Sequence, residues 1–311
     1  MDVLLKATTA YRLLAQEAQS MRLANTYLLL FPDADNLRFA LNRFARLFFA
    51  EKDAERVGRE KHPDCLFYPA VGKGWDKDVV TALLEESSLS PVEGERKLFV
   101  LDAFHKASAV VQNKLLKVLE EPPTGVHFLI GASNEFPLLA TVKSRAKKLE
   151  VPPFSEEEVA ACLCRRYTDC TMPEVYASVS DGLVGRAENF MLGGTYSKIQ
   201  PLVMQCVQAS AQEIPAVSKK LTKITDKWEF ISLLKRAYRD MLFYRTNQPF
   251  VTGMGEGLKQ AAGAFTPASL LYALEIFSEA EKQLTFNANL AQCVEIALFK
   301  IDKEKSRCKK S

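Results

Sequence analysis

No stretch of this 311-residue sequence is apolar for the roughly 18 residues that a membrane-spanning helix needs. Met1 to Ala10 also lacks the order of positive charge, apolar block and small cleavage residues that marks a secretory leader. A cytoplasmic protein is the expectation. An excess of one charge is missing as well: 41 Lys and Arg stand against 38 Asp and Glu, a formal net charge of +3. Nothing global therefore marks a nucleic-acid-binding protein, and any basic surface must come from local clustering. The seven cysteines, Cys65, Cys162, Cys164, Cys170, Cys206, Cys293 and Cys308, are odd in number and scattered. None pairs at the two-residue spacing of a zinc knuckle, since Cys162 and Cys164 are one residue apart. They read as buried or idle thiols in a reducing compartment. With three histidines and no carboxylate or cysteine cluster beside His62, that residue reads as a turn or packing group rather than a ligand or base.

What is present is an ordinary soluble composition, 48% hydrophobic and 25% charged, enough for one large core or two to three smaller ones. The chain is organised around residues 97–149. Leu98 to Leu101 are uninterruptedly apolar and stop at Asp102, as a strand buried on both faces does when it ends at a site-forming edge. Ser108 then caps an expected helix carrying Val111, Leu115, Val118 and Leu119 on one side and ending at Pro122-Pro123. Val126 to Ala132 reads as the neighbouring strand. Strand, helix, strand with short joints is a right-handed crossover unit of a parallel, doubly wound sheet.

Three segments of this stretch occur in a family order: Lys97-Leu98-Phe99-Val100-Leu101-Asp102, then Asn113 to Pro123 ending Leu-Glu-Glu-Pro-Pro, then Thr141-Val142-Lys143-Ser144-Arg145-Ala146. Together they resemble the AAA+ clamp-loader subunits of bacterial replicative polymerase, where they correspond to the Walker B strand, the following helix and the Ser-Arg-Cys motif. The likeness is greatest to the delta-prime branch of that family. It implies an α/β AAA+ (RecA-like) parallel-sheet domain over residues 1–151, a small helical lid over 152–194 and an all-α collar over 195–311.

Tyr27 to Phe31 reads as a strand that, in a nucleotide-binding α/β protein, leads into a glycine-rich loop. There glycines let backbone amides close on phosphate, a lysine reaches the terminal phosphates and a hydroxyl holds magnesium. Aligned on the family pattern, Phe31 and Asn36 stand at the glycine positions, Leu37 at the lysine and Arg38 at the hydroxyl. Asp33 and Asp35 add negative charge where phosphate would sit, a like-charge cost of about 1 to 4 kcal/mol at 4 Å depending on effective dielectric. After Asp102 stands Ala103, where an active member has the acidic residue that deprotonates the attacking water. The resemblance thus implies a degenerate Walker A (Phe31, Asn36, Leu37, Arg38), a degenerate Walker B (Asp102, Ala103) and no ATP bound. Asp102 reads as a satisfied strand-end carboxylate in preference to a metal ligand.

Neither is zinc expected: many relatives carry a four-cysteine module between the first core helix and the next strand, but Glu51 to Lys61 is short and has no cysteine. His62-Pro63-Asp64 and His105 match family positions without assigned chemistry. Ser133 and Arg186 match sensor-like positions, the latter expected at a helix start or a subunit contact.

From local sequence, Arg145 is a surface cation beside Lys143, Lys147 and Lys148; the family context makes it a trans arginine finger with Ser144, reaching a neighbour's ATP site. Phe154-Ser155-Glu156-Glu157-Glu158-Val159 carries a complete capping-box helix start. Long helical stripes follow over Ile199 to Ala209, Phe230 to Phe243, Pro267 to Leu284 and Ala288 to Ile301, with Thr266-Pro267 as a start signal. Gln248 to Phe265 is expected to be a loop and Lys303 to Lys310 a solvated, frayed tail.

The implied partners are gamma/tau ATPase subunits and delta, with the sliding clamp and primer-template DNA reached through the complex. Two rival readings are a gamma/tau-like ATPase with an altered nucleotide site and an autonomous DNA-binding protein; Leu37 and Ala103 weigh against the first, the balanced charge against the second.

Overall fold

The apolar run before Asp102 forms the middle of a parallel sheet. In a computed structural model, which describes residues 1–247, 254–285 and 288–308, five strands are ordered β2-β3-β4-β1-β5. They are β1 (Thr26–Leu30), β2 (Cys65–Tyr68), β3 (Lys97–Leu101), β4 (Val126–Ala132) and β5 (Lys147–Glu150). All four pairings are parallel. Leu98 to Leu101 are fully buried because β3 has a strand on each side and helices over its faces. Each such side chain contributes roughly 1.5 to 3 kcal/mol of transfer free energy.

Ser108 starts the crossover helix Ala109–Glu120 by accepting the Val111 amide at 3.4 Å, and Val111, Leu115 and Leu119 turn inward. Leu41, Phe44, Ala45 and Phe48 are buried, and the helix Leu37–Ala45 gives way to a 3-10 turn at Arg46–Phe48. Gly131 in β4 lets this helix approach closely: a Cβ there would lie 2.5 Å from Leu41 Cδ1. The edge strand β5 has no apolar signature, since Leu149 is its one buried residue. Pairing with β1 and the ion pair of Lys147 with Glu17 form it, and a charged edge of this kind resists further strand addition.

The chain divides into two compact units, one of Met1–Phe154 with Leu183–Gly185 and one of Ser155–Gly182 with Arg186–Ser311. The first holds the sheet. Among the described residues the second is helical, and a single apolar cluster joins Val175, Val179 and Phe190 to Phe230, Leu234, Phe277 and Val294. Its first helix, Glu156–Arg166, begins with both reciprocal bonds of a capping box between Ser155 and Glu158. Helices over Thr195–Gln208, Lys227–Arg245, Pro267–Thr285 and Leu290–Cys308 correspond to the four apolar stripes. Thr266 accepts the Ser269 amide at 3.2 Å, as its place before Pro267 suggests.

Two expectations are corrected. Of the segment read as a loop, residues 248–253 lie outside the described residues, but Gly255–Ala262 is a helix whose Leu258 and Ala262 are buried. Its glycines concealed it, and burial of one face outweighs their cost of about 1 kcal/mol each. The basic tail is helical to Cys308: Arg307 pairs with Glu304 at 3.3 Å and Lys305 lies over the Phe265 ring at 4.6 Å. Residues 309–310 lie outside the described residues.

Candidate functional site

The turn after β1 is where a nucleotide's phosphates would be held. It is built here from side chains that satisfy one another. Phe31 is buried, its ring edge-on to Phe154 at 6.2 Å. Asp33, 2% exposed, accepts from the Asn36 amide at 3.3 Å, from Asn36 Nδ2 at 3.0 Å and from the Gly185 amide at 2.8 Å. Burial pushes the Asp33 carboxyl above its ordinary value, against the opposing pull of those donors. Gly185 is seated so closely that a Cβ would lie 2.5 Å from Asp33 Oδ1 and 2.8 Å from Asn36 Nδ2. A carboxylate of the chain itself thus takes the amides that a phosphate would seek. Leu37, at the lysine position, is 1% exposed and offers no donor.

Arg38, at the hydroxyl position, spans the site. Its Nη1 donates to Asp102 Oδ2 at 3.0 Å and to the Pro69 carbonyl at 3.1 Å; Nε and Nη2 donate to the two Glu60 oxygens at 2.8 and 2.6 Å. The guanidinium also lies 5.2 Å from the centre of the Phe67 ring. Burial would lower its pKa, but the two carboxylates outweigh that and raise it. Asp102 therefore faces a fixed organic cation at the end of β3, where a magnesium ion would have to come. Trp75 Nε1 donates to the Asp102 carbonyl at 2.9 Å, and Ala103 turns the chain with a φ of 47°. These residues do not fit a magnesium nucleotide: no lysine, no metal-binding hydroxyl, no vacant carboxylate.

The other predicted residues fall elsewhere. Ser133, beyond β4, lies with its Oγ 3.1 Å from His105 Nε2, and burial followed by nearby Lys106 lowers the His105 pKa, favouring the neutral ring. His62 is buried beside Phe49 and accepts the Asp64 amide at 3.1 Å, while Asp64 accepts the amides of Val92 and Glu93. Arg186 donates to Asp181 at 2.6 Å and to Ser232 at 2.9 Å within the helical unit. Arg145 follows the short helix Ala140–Lys143; its Nη1 donates to the Thr141 carbonyl at 3.0 Å and Nη2 lies 3.0 Å from Glu120 Oε2. Ser144 beside it is exposed and donates to the Thr141 carbonyl at 3.1 Å. Among the described residues no group of three or more His, Cys, Asp and Glu is placed to hold a metal ion.

Sequence reading missed the active part that Arg38 plays. The signal lay in Asp102 and Arg38, a carboxylate and a cation that the fold brings within 3.0 Å.

A family described as "DNA polymerase III, delta subunit" matches residues 6–155. The delta' subunit of DNA polymerase III from Bacillus subtilis is 22% identical over 78% of this chain and 77% of that protein. Over its sheet-bearing part the chain is thus similar to DNA polymerase III subunits. The tau subunit of DNA polymerase III from B. subtilis is also 22% identical, over 72% of this chain but 46% of its own length, so the chain spans less than half of that relative. Among solved structures, a gamma-subunit-related protein from Thermotoga maritima superposes with a TM-score of 0.42 at 16% identity, covering 94% of this chain and 99% of that one.

Proposed function

We propose that this chain is a delta-prime-type clamp-loader subunit of DNA polymerase III that neither binds nor hydrolyses ATP itself and that lends Arg145 in trans to the ATPase site of a neighbouring gamma/tau subunit. In this reading it works in the cytoplasm with gamma/tau and delta to load the sliding clamp on primed DNA. Residues 152–194 act as the lid and 195–311 as the collar through which the subunits join. The observation that carries the reading is the Arg38 guanidinium bound between Asp102 and Glu60. It supports a site whose metal has been replaced by a side chain, and the bond from Asp33 to Gly185 supports a phosphate loop closed on itself.

Arg145 needs none of that chemistry. Its planar fork is matched to phosphoryl oxygens, and stabilising their charge from a neighbouring subunit accelerates transfer by about 10³ to 10⁵. The test has two arms. The isolated chain is expected to show no magnesium-dependent binding of a labelled ATP analogue; tight binding abolished by Asp102→Asn overturns the first claim. In the complex reconstituted with gamma/tau and delta, Arg145→Ala is expected to leave assembly intact and lower DNA-stimulated turnover; unchanged turnover overturns the second.

A further inference from the structure

The helical unit carries an open groove of about 840 Å³ between the helices Thr195–Gln208 and Ile214–Leu221 and the turn that follows them. Its floor is apolar: Ile199 is buried, and Leu202 and Ile224 are half-buried against the core. Its rim is cationic. Lys198, Lys219, Lys220 and Lys223 are all exposed lining residues, opposed by the single carboxylate Asp226. None of the four lysines is ion-paired with a carboxylate among the described residues: Lys198 donates to the Gly193 carbonyl and Lys220 to Gln205. Elsewhere in the unit, by contrast, Lys235, Arg236 and Arg186 are each neutralised by a carboxylate within 2.6 Å. In a chain whose overall charge is nearly balanced, four unneutralised lysines around one apolar trough are a local excess.

We infer that this groove is a docking site for an acidic, amphipathic peptide segment of a partner protein, with apolar side chains seated over Ile199, Leu202 and Ile224 and carboxylates facing the lysines. Both halves of the chemistry are needed. A phosphate backbone would use the cations but leave the trough covered only by water, and an uncharged apolar segment would leave the lysines unanswered. Lysine suits this use because its flexible stem lies along apolar surface while its ammonium stays in water, so the rim adapts to carboxylates at several positions.

The inference is tested with the full chain and three fluorescein-labelled probes: a 12-residue peptide of alternating Asp/Glu and Leu/Phe, a poly-Glu peptide of equal length, and a single-stranded 12-mer oligonucleotide. The amphipathic acidic peptide is expected to bind most tightly and to weaken as salt rises. The double variant Lys219→Glu with Lys223→Glu is expected to weaken it by about tenfold or more, four small charge terms acting together. Leu202→Gln is expected to weaken the amphipathic peptide while leaving the residual binding of poly-Glu unchanged. These exposed or half-buried positions leave the core intact, which circular dichroism and an unchanged unfolding midpoint would verify. Equal binding of poly-Glu and the amphipathic peptide, or tighter binding of the oligonucleotide, overturns the inference. So does sedimentation showing that the charge reversal dissolves a dimer of this chain, which would assign the groove to a second copy.

Discussion

Replacing Arg38 with alanine removes the cation that, among the described residues, is ion-paired with Asp102. The side chain is 23% exposed, its partners Asp102 and Glu60 are 17% and 29% exposed, and the contacts lie between 2.6 and 3.1 Å. A fully exposed pair would contribute less than about 1 kcal/mol, whereas stranding a buried charge costs roughly 3 to 5. The site stands between these limits but keeps some access to water, so Arg38→Ala is expected to destabilise the sheet-bearing unit by about 2 kcal/mol, or about 4 to 8 °C in midpoint for a unit of this size. Asp102→Asn removes one acceptor and leaves Glu60 in place, so its cost should be smaller, about 1 kcal/mol. The two changes share a contact, and the double variant should therefore cost less than the sum by about 1 kcal/mol. Urea titration followed by tryptophan fluorescence reads all four corners of the cycle, since Trp75 bonds to Asp102. A coupling below about 0.3 kcal/mol would refute the view that the guanidinium stands in for the metal. Nucleotide binding should not appear in Arg38→Ala, because Leu37 still supplies no donor; recovered ATP affinity would refute it as well.

Asp33 gives a pH signature. Its carboxyl is raised in the folded chain, mainly by burial, so folding favours the protonated form. Its contribution is most favourable below the ordinary value of 3.8 and is lost as pH rises through the folded value. In Asp33→Asn this component is absent, so the variant's stability relative to the parent should improve steadily from about pH 4 upward in parallel urea titrations. A difference independent of pH would contradict the burial argument. Gly185→Ala should cost about 1 to 2 kcal/mol in midpoint experiments despite alanine's better helix propensity, because the new methyl would press on Asp33, Asp35 and Asn36. Arg145→Ala should shift stability by less than about 1 kcal/mol, since its partner Glu120 is 53% exposed, yet lower the turnover of the reconstituted complex.

The parallel sheet was legible because strands buried on both faces are written as apolar runs, and the crossover helix because Ser108 and Pro122 punctuate it. β5 was not legible, because one buried residue, Leu149, in a charged tetrapeptide carries no periodicity; tertiary pairing with β1 makes it a strand. The helix over Gly255–Ala262 was hidden for the converse reason, local propensity outweighed by packing. At the site, the resemblance implied which residues had been replaced, but replacement reads as loss. That Arg38, Asp33 and Gly185 form a closed set of bonds required coordinates, because Asp33 and Gly185 lie 152 residues apart and Arg38 and Asp102 lie 64 apart.

On the proposed reading, these bonds separate two uses of arginine on one scaffold. Arg38 has four donor contacts to three acceptor groups and an aromatic face beneath it, so moving it would expose two carboxylates to each other at once. Arg145 holds a carbonyl of its own turn and one half-exposed glutamate. Leaving Glu120 costs at most about 1 kcal/mol. A triphosphate on a neighbouring subunit, with more charge and a geometry matched to the fork, would exceed that easily. An arginine that stands in for a metal must be immovable, and one offered to a neighbour must be held just firmly enough to keep its direction. The different depth of the two side chains in the same fold is what the proposed division of labour requires.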